Sequence, residues 1–189
     1  MTQWCAFSLV ALLAACQTEP GTPAAGKKKG AGGTVAGSYP HYADRVVRVD
    51  KKKIRFRDGD TFRVGGLAIR ILGIDTPEMG GAGKIFDEDQ PYGRKAGKLA
   101  GKLLTRAAVV EYLPHKPDRY GRLLAHVFID GELFGVRMIE AHLAYETVSR
   151  YGDNGFPDLA GEFLQAAHEA GTPRFMEPRL WRLRHRKIK

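Results

Sequence analysis

Thr61-Phe62-Arg63-Val64-Gly65-Gly66-Leu67-Ala68-Ile69-Arg70-Ile71-Leu72-Gly73-Ile74 reads as two strand-like runs joined by a Gly-Gly hairpin signal. Ahead of it, residues 46–56 are rich in β-branched and basic side chains, and Asp58-Gly59 is a turn signal. The stretch predicts a three-strand meander that Pro77 halts. Pairing Leu67 back on Val64 sets Arg70 opposite Thr61 and lands Ile74 beside Arg57. Asp75 then lies at the same end of the hairpin as Asp58-Gly59-Asp60. Like charges resist such a meeting unless a cation compensates them. In this register Arg70 starts on the face opposite Asp60, so a bulge, a longer loop or strong coiling is expected between them.

Downstream, an acidic, Gly-rich loop covers residues 79–90, and a helix is expected over 91–107. Ala96, Leu99, Ala100, Leu103, Leu104 and Ala107 recur on one face, with Arg94, Lys95, Lys98, Lys102 and Arg106 on the other. That basic face suits solvent or nucleic acid. Gly97 and Gly101 weaken the helix by up to about 1 kcal/mol each and permit close packing. Residues 109–113 and 122–129 read as strands, and 133–144 and 157–170 as helices. Together these predict an α+β domain: a five-stranded OB-type Greek-key barrel with about three helices.

The 189 residues suffice for one domain with appendages, and the formal net charge of +9 favours a polyanionic partner. Both cysteines, Cys5 and Cys16, precede the domain, which excludes disulfides, zinc–thiolate sites and cysteine nucleophiles from it. The six histidines show no metal-binding spacing, so a hard, oxygen-liganded ion is the metal option that remains. Residues 1–16 fit an export signal: an apolar run from Ala6 to Ala15 ends in Leu13-Ala14-Ala15-Cys16, which resembles a lipobox with Cys16 as the lipidated residue. The start, Met1-Thr2-Gln3-Trp4, lacks the basic residues such signals carry. Location at the cell envelope as a lipoprotein is expected, with secretion or the periplasm as the alternative. Residues 17–41 are expected to be a disordered Gly/Ala/Lys linker, 42–181 the domain, and 182–189 a basic tail. No interface signal stands out, so a monomer is expected.

Taken singly, each polar motif has a bland reading, because turns and helix caps use the same residues. Their order carries more: Asp58-Gly59-Asp60-Thr61, Arg70, Asp75-Thr76-Pro77-Glu78, then Asp118-Arg119-Tyr120-Gly121-Arg122. Carboxylates beside guanidinium forks suit metal-assisted attack on a phosphodiester. In these motifs the chain, over roughly residues 46–181, resembles the staphylococcal nuclease (thermonuclease) family.

The resemblance implies that Asp60, Asp75 and the Thr76 carbonyl are calcium ligands, with Glu78 near the metal-bound water. It implies that Arg70 and Arg122 clamp the scissile phosphate, that Tyr120 and Arg119 lie along the nucleotide, and that Asp58 is not a direct ligand. It further implies a Ca²⁺-dependent nuclease acting on DNA or RNA with little sequence specificity and leaving 3′-phosphate products. The alternative is a non-catalytic nucleic-acid-binding OB-fold module at the envelope. For Tyr145 and Tyr151, base stacking and ordinary packing are equal readings. The Leu180-Trp181 pair is expected to pack on the domain, and the arginines beyond it to add unspecific affinity or to be solvated.

Overall fold

The computed structural model describes residues 33–81 and 86–185 and shows a mixed α+β architecture around one curled sheet. The strands are β1 (Val47–Arg48), β2 (Ile54–Phe56), β3 (Thr61–Val64), β4 (Leu67–Ile71), β5 (Ile74–Asp75), β6 (Val110–Pro117), β7 (Leu123–Ile129), β8 (Glu132–Leu133) and β9 (Tyr145–Glu146). The helices are α1 (Val35–Ser38), α2 (Gly93–Arg106), α3 (Phe134–Glu140), α4 (Val148–Tyr151), α5 (Pro157–Ala170) and α6 (Pro178–His185). The sheet runs β1-β6-β7-β4-β3-β2, with β8 added to β7.

Its outermost strands, β1 and β2, are halves of one segment bent at the 3₁₀ turn Lys51–Lys53. The Asp50 side chain caps that turn, accepting from the Lys52 amide at 3.1 Å. One segment therefore serves both edges, and the sheet must curl to let it. The expected unbroken first strand is corrected here, as is the strand over 67–74, which turns at Leu72-Gly73 so that β5 pairs with β9 in a separate ladder. Five strands become seven in the main sheet plus that ladder. The overall form remains consistent with an OB-like fold.

The β3–β4 hairpin has the plain two-residue register, Val64 opposite Leu67 and Thr61 opposite Arg70, with Gly65 at φ +59°. Helix α2 buries Ala96, Ala100 and Leu104, and α5 buries Leu159, Ala160, Phe163 and Ala166. Pro157 opens α5 and Gly171, at φ +73°, closes it, the preferred residues at those two ends. The phenyl ring of Phe163 fills the space over Gly73, where any Cβ would collide with it. Of the six helices described, α2, α3 and α5 match the three expected, while α6 falls in the stretch read as a basic C-terminus.

Residues 33–41, expected to belong to the linker, are instead part of the fold. Val35 is fully buried and its amide donates to Glu111 Oε2 at 2.8 Å. Tyr39 and Tyr42 donate to Glu162 and Asp158 at 2.5 and 2.6 Å. These aromatic anchors supply apolar area that a purely Gly/Ala/Lys linker lacks. Residues 1–32, including the expected signal and Cys16, lie outside the described part.

His126 on β7 is 3% exposed, and both ring nitrogens lack a hydrogen-bond partner among the described residues. Its ring meets Phe156 edge-on at 4.9 Å and stacks on Phe163 at 5.8 Å. Burial, aided by nearby His115, depresses its pKa to about 4. The unfolded chain thus takes up a proton that the folded chain refuses. The stability tied to neutral His126 is complete above the unfolded pKa near 6.5 and is lost as pH falls toward 4, by on the order of 3 kcal/mol. His126→Leu is expected to flatten this acid limb in melting curves taken from pH 7 to 4. An unchanged limb would remove His126 as its cause.

Candidate active site

Asp60 and Asp75 are the two least exposed carboxylates among the described residues, at 4% and 5%. Asp60 sits in the turn before β3, where its amide donates to Asp58 Oδ1 at 3.3 Å. Its Oδ2 accepts from the amide and hydroxyl of Thr76, at 2.8 and 2.9 Å. Its Oδ1 accepts from the Thr61 hydroxyl at 3.2 Å. Gly59 makes this closure possible, since a Cβ there would lie 2.7 Å from the Thr76 hydroxyl oxygen. The two acidic segments therefore meet, as the hairpin register predicts.

Arg70 bridges them. Nη1 pairs with Asp60 Oδ1, and Nη2 donates to Asp75 Oδ1 at 2.8 Å and to the Ile74 carbonyl at 3.3 Å. No register shift interrupts β3–β4, which corrects the expectation of a bulge or longer loop. Asp60 precedes the strand, so strand alternation does not govern its side chain, which folds round to the face from which Arg70 projects.

Arg182, from α6, adds a second guanidinium. Nη1 donates to Glu78 Oε1 at 2.7 Å and to Asp75 Oδ1 at 3.1 Å, and Nη2 donates to Asp75 Oδ2 at 2.7 Å. Residue 182 falls in the expected basic tail, yet its guanidinium enters the site, and the segment before α6 is tied there through the Met176 carbonyl. Of the Leu180-Trp181 pair, Trp181 is half-buried and stacks on His185 at 3.5 Å, whereas Leu180 is 38% exposed. That stack lies within α6 itself, and neither residue belongs to the buried core cluster.

Burial on its own would raise the Asp75 carboxyl, but Arg70 and Arg182 outweigh it and hold the group below the ordinary carboxylate range. Glu78 goes the other way: burial raises it, and Asp75 and Asp58 add to the rise, so Arg182 offsets only part. A carboxylate tuned upward in this way is a better proton acceptor when ionised.

Gln90, 1% exposed, fixes the Glu78 backbone from both sides. Its Oε1 accepts from the Glu78 amide at 3.1 Å, and its amide donates to the Glu78 carbonyl at 2.9 Å. Its Nε2 donates to the Met176 carbonyl at 2.5 Å, tying the segment before α6 to the site. A lone glutamine in an acidic loop carries no motif, so the sequence offered no signal for it.

Arg122, Arg119 and Tyr120 lie at the β6–β7 hairpin tip. Asp118 accepts from Arg122 Nε at 2.7 Å and from the Tyr120 and Arg122 amides at 2.8 and 3.0 Å. These hydrogen bonds overcome the effect of burial and keep Asp118 below the usual range. Arg119 lies over the Tyr120 ring at 4.8 Å, and Tyr120 is 65% exposed. Arg122 pairs with Asp118, not with Asp60 or Asp75. Arg122 lies just ahead of β7, whose Leu124 faces Arg70 in the parallel β4–β7 register. A cleft of about 500 Å³ runs from Asp75 past Tyr145, Arg150 and Tyr151 to Glu177 and Arg179. Tyr145 is anchored there by its hydroxyl, which donates to the Phe175 carbonyl at 2.7 Å, while Tyr151 is 62% exposed.

Among the described residues no group of three or more His, Cys, Asp or Glu side chains gathers as a metal cluster. A cation here would rest on Asp60, Asp75 and neutral oxygens such as the Thr76 carbonyl, a donor set that fits a hard divalent ion. The same carboxylate oxygens are held by Arg70 and Arg182.

The curled sheet thus brings two buried carboxylates and two guanidinium forks to one end of the fold. The chain belongs to the family described as staphylococcal nuclease homologue, whose model matches residues 68–175. It is 38% identical over 98 residues to the thermonuclease of Staphylococcus hyicus, covering 49% of this chain and 56% of that protein. It is 32% identical over 153 residues to an uncharacterized protein of Methanocaldococcus jannaschii, covering 70% of each. It is 32% identical over 125 residues to endonuclease YncB of Bacillus subtilis, covering 60% of this chain and 58% of that protein. The chain spans little more than half the length of the thermonuclease it matches. The family match includes Arg70, Asp75, Thr76, Glu78, Arg119, Tyr120 and Arg122 but neither Asp60 nor Arg182.

Proposed function

We propose that this protein is a calcium-dependent nuclease that hydrolyses DNA or RNA with little sequence preference and leaves 3′-phosphate ends. The observation that carries the reading is the junction of buried Asp60 and Asp75 with Arg70, to which Arg182 joins Glu78. A binding module has no use for carboxylates set against phosphate, because they repel it. Kinship with a thermonuclease and an endonuclease supports the same chemistry.

Asp60, Asp75 and the Thr76 carbonyl would hold the ion, which when bound polarises a phosphoryl oxygen and acidifies water. Arg70 and Arg122 donate paired hydrogen bonds to the non-bridging oxygens, where charge grows as water attacks phosphorus in line and the 5′ oxygen leaves. Glu78 accepts the proton of the attacking water, a role commonly worth roughly 10²- to 10⁴-fold. Because the Glu78 pKa is raised, the rate climbs with pH through a value above the ordinary carboxylate range. Arg119 and Tyr120 line the nucleotide's path. The protein acts as a monomer at the cell envelope or outside it, a location supported by the apolar run before Cys16. None of the described helices is long and apolar enough to cross a membrane.

Digestion of single-stranded DNA with calcium, with chelator and with Glu78→Gln tests this. Calcium-dependent cleavage that falls by on the order of 10²-fold or more in the variant is expected. Cleavage in chelator, or full activity of Glu78→Gln, would refute the mechanism. Binding without cleavage would establish the non-catalytic module instead.

A further inference from the structure

We propose that the groove between β2 and α2 is a track for the single strand that leaves the active site, with Phe56 as a base-stacking platform and Lys98 and Lys102 as phosphate contacts. The proposal rests on nucleic acid being the substrate. The groove encloses about 380 Å³ and is lined by Phe56, Met79, Arg94, Lys98, Lys102 and Asp58, among others.

Its chemistry is unusual for a solvated helix face. Phe56 is 42% exposed, although a ring of its size normally buries most of its area. Gly97 and Gly101 form the floor: a Cβ at Gly101 would lie 3.8 Å from the Phe56 ring, and one at Gly97 would strike the Met79 sulfur at 2.7 Å. Two glycines cost the helix up to about 2 kcal/mol together, and what they provide is room for these two side chains against its backbone. Residues 94, 98 and 102 are spaced four apart, which puts three cations along one side of the floor, each about 6 Å further along the axis. Arg94 pairs with Asp89, while Lys98 and Lys102 are exposed and take part in no ion pair among the described residues.

The groove also joins the site. Asp58, on its wall, accepts from the Asp60 amide, and Met79 follows Glu78 directly. A strand bound at the site and continuing past Asp58 and Met79 enters this groove. The occupant that fits a cationic row beside an exposed aromatic ring is an unpaired strand, whose phosphates meet the lysines while a base stacks. A duplex would keep its bases paired and leave Phe56 unused.

The test compares the wild type with Lys98→Glu/Lys102→Glu and with Phe56→Ala on a DNA strand of about twenty nucleotides and on a dinucleotide too short to reach the groove. Strand binding is followed by fluorescence anisotropy in chelator at several salt concentrations. The double variant should raise KM for the long strand on the order of tenfold, with kcat unchanged and dinucleotide cleavage within about twofold. Its log–log salt slope should fall by about 1.4, the contribution of two phosphates on a single strand. Phe56→Ala should weaken strand binding about fivefold or more at every salt concentration. Equal losses on both substrates, unchanged strand affinity in either variant, or tighter binding of duplex than of single strand would overturn the proposal. If the wild type cleaves neither substrate, the nuclease reading fails, and the anisotropy comparison alone still decides the groove.

Discussion

Replacing Arg70 by lysine is expected to lower the cleavage rate by about 10³-fold or more while the barrel stays folded. Arg70 uses one guanidinium nitrogen for Asp60 and the other for Asp75, and it is 16% exposed as a side chain. A lysine retains the charge but offers a single nitrogen without the planar fork, so it cannot meet two carboxylates and then two phosphate oxygens with the same geometry. The loss should fall on kcat, because the paired contacts strengthen as charge develops on the phosphate oxygens. Single-turnover cleavage of a DNA strand, with melting curves as the control for folding, measures it. A drop below tenfold in a well-folded variant would show that Arg70 organises the carboxylates without contacting phosphate.

The second large effect concerns Arg182. Its guanidinium occupies both oxygens of Asp75 and one of Glu78, and a divalent cation needs the Asp75 oxygens. The two positive groups compete. Arg182→Ala should therefore tighten calcium binding by about tenfold or more, which is the equilibrium equivalent of one charged hydrogen bond at the low end of its usual worth. Calorimetric titration of calcium reads this without reference to activity. Weaker calcium binding in Arg182→Ala would mean that the arginine supports the ion site instead of competing for it.

Much of the site was legible in the chain because hairpin chemistry is local. Gly65-Gly66 specifies a two-residue loop, the loop sets the register, and the register carries the chain back toward the Asp58–Asp60 turn, where the bend at Leu72-Gly73 completes the approach of Asp75. The bounds of α5 were likewise readable from Pro157 and Gly171, which mark helix ends by backbone geometry. The side of Asp60 was not readable, because strand alternation does not hold in the turn that carries it. The break at Lys51–Lys53 was invisible for the opposite reason: residues 46–56 favour strand throughout, and only the need to serve both sheet edges bends them.

By itself the sequence determined the β3–β4 hairpin, helices α2, α3 and α5, and the approach of the two acidic segments, since each follows from neighbours within about twenty residues. Tertiary structure decided what closes over that meeting. Arg182 lies 107 residues from Asp75, and Gln90 reaches Met176 across 86. No periodicity or turn signal spans such separations, because those contacts arise only once the C-terminal segment has been brought against the curled sheet. The physical reason is that two buried carboxylates attract whichever cation the packed chain brings within reach, and only the fold selects which one that is.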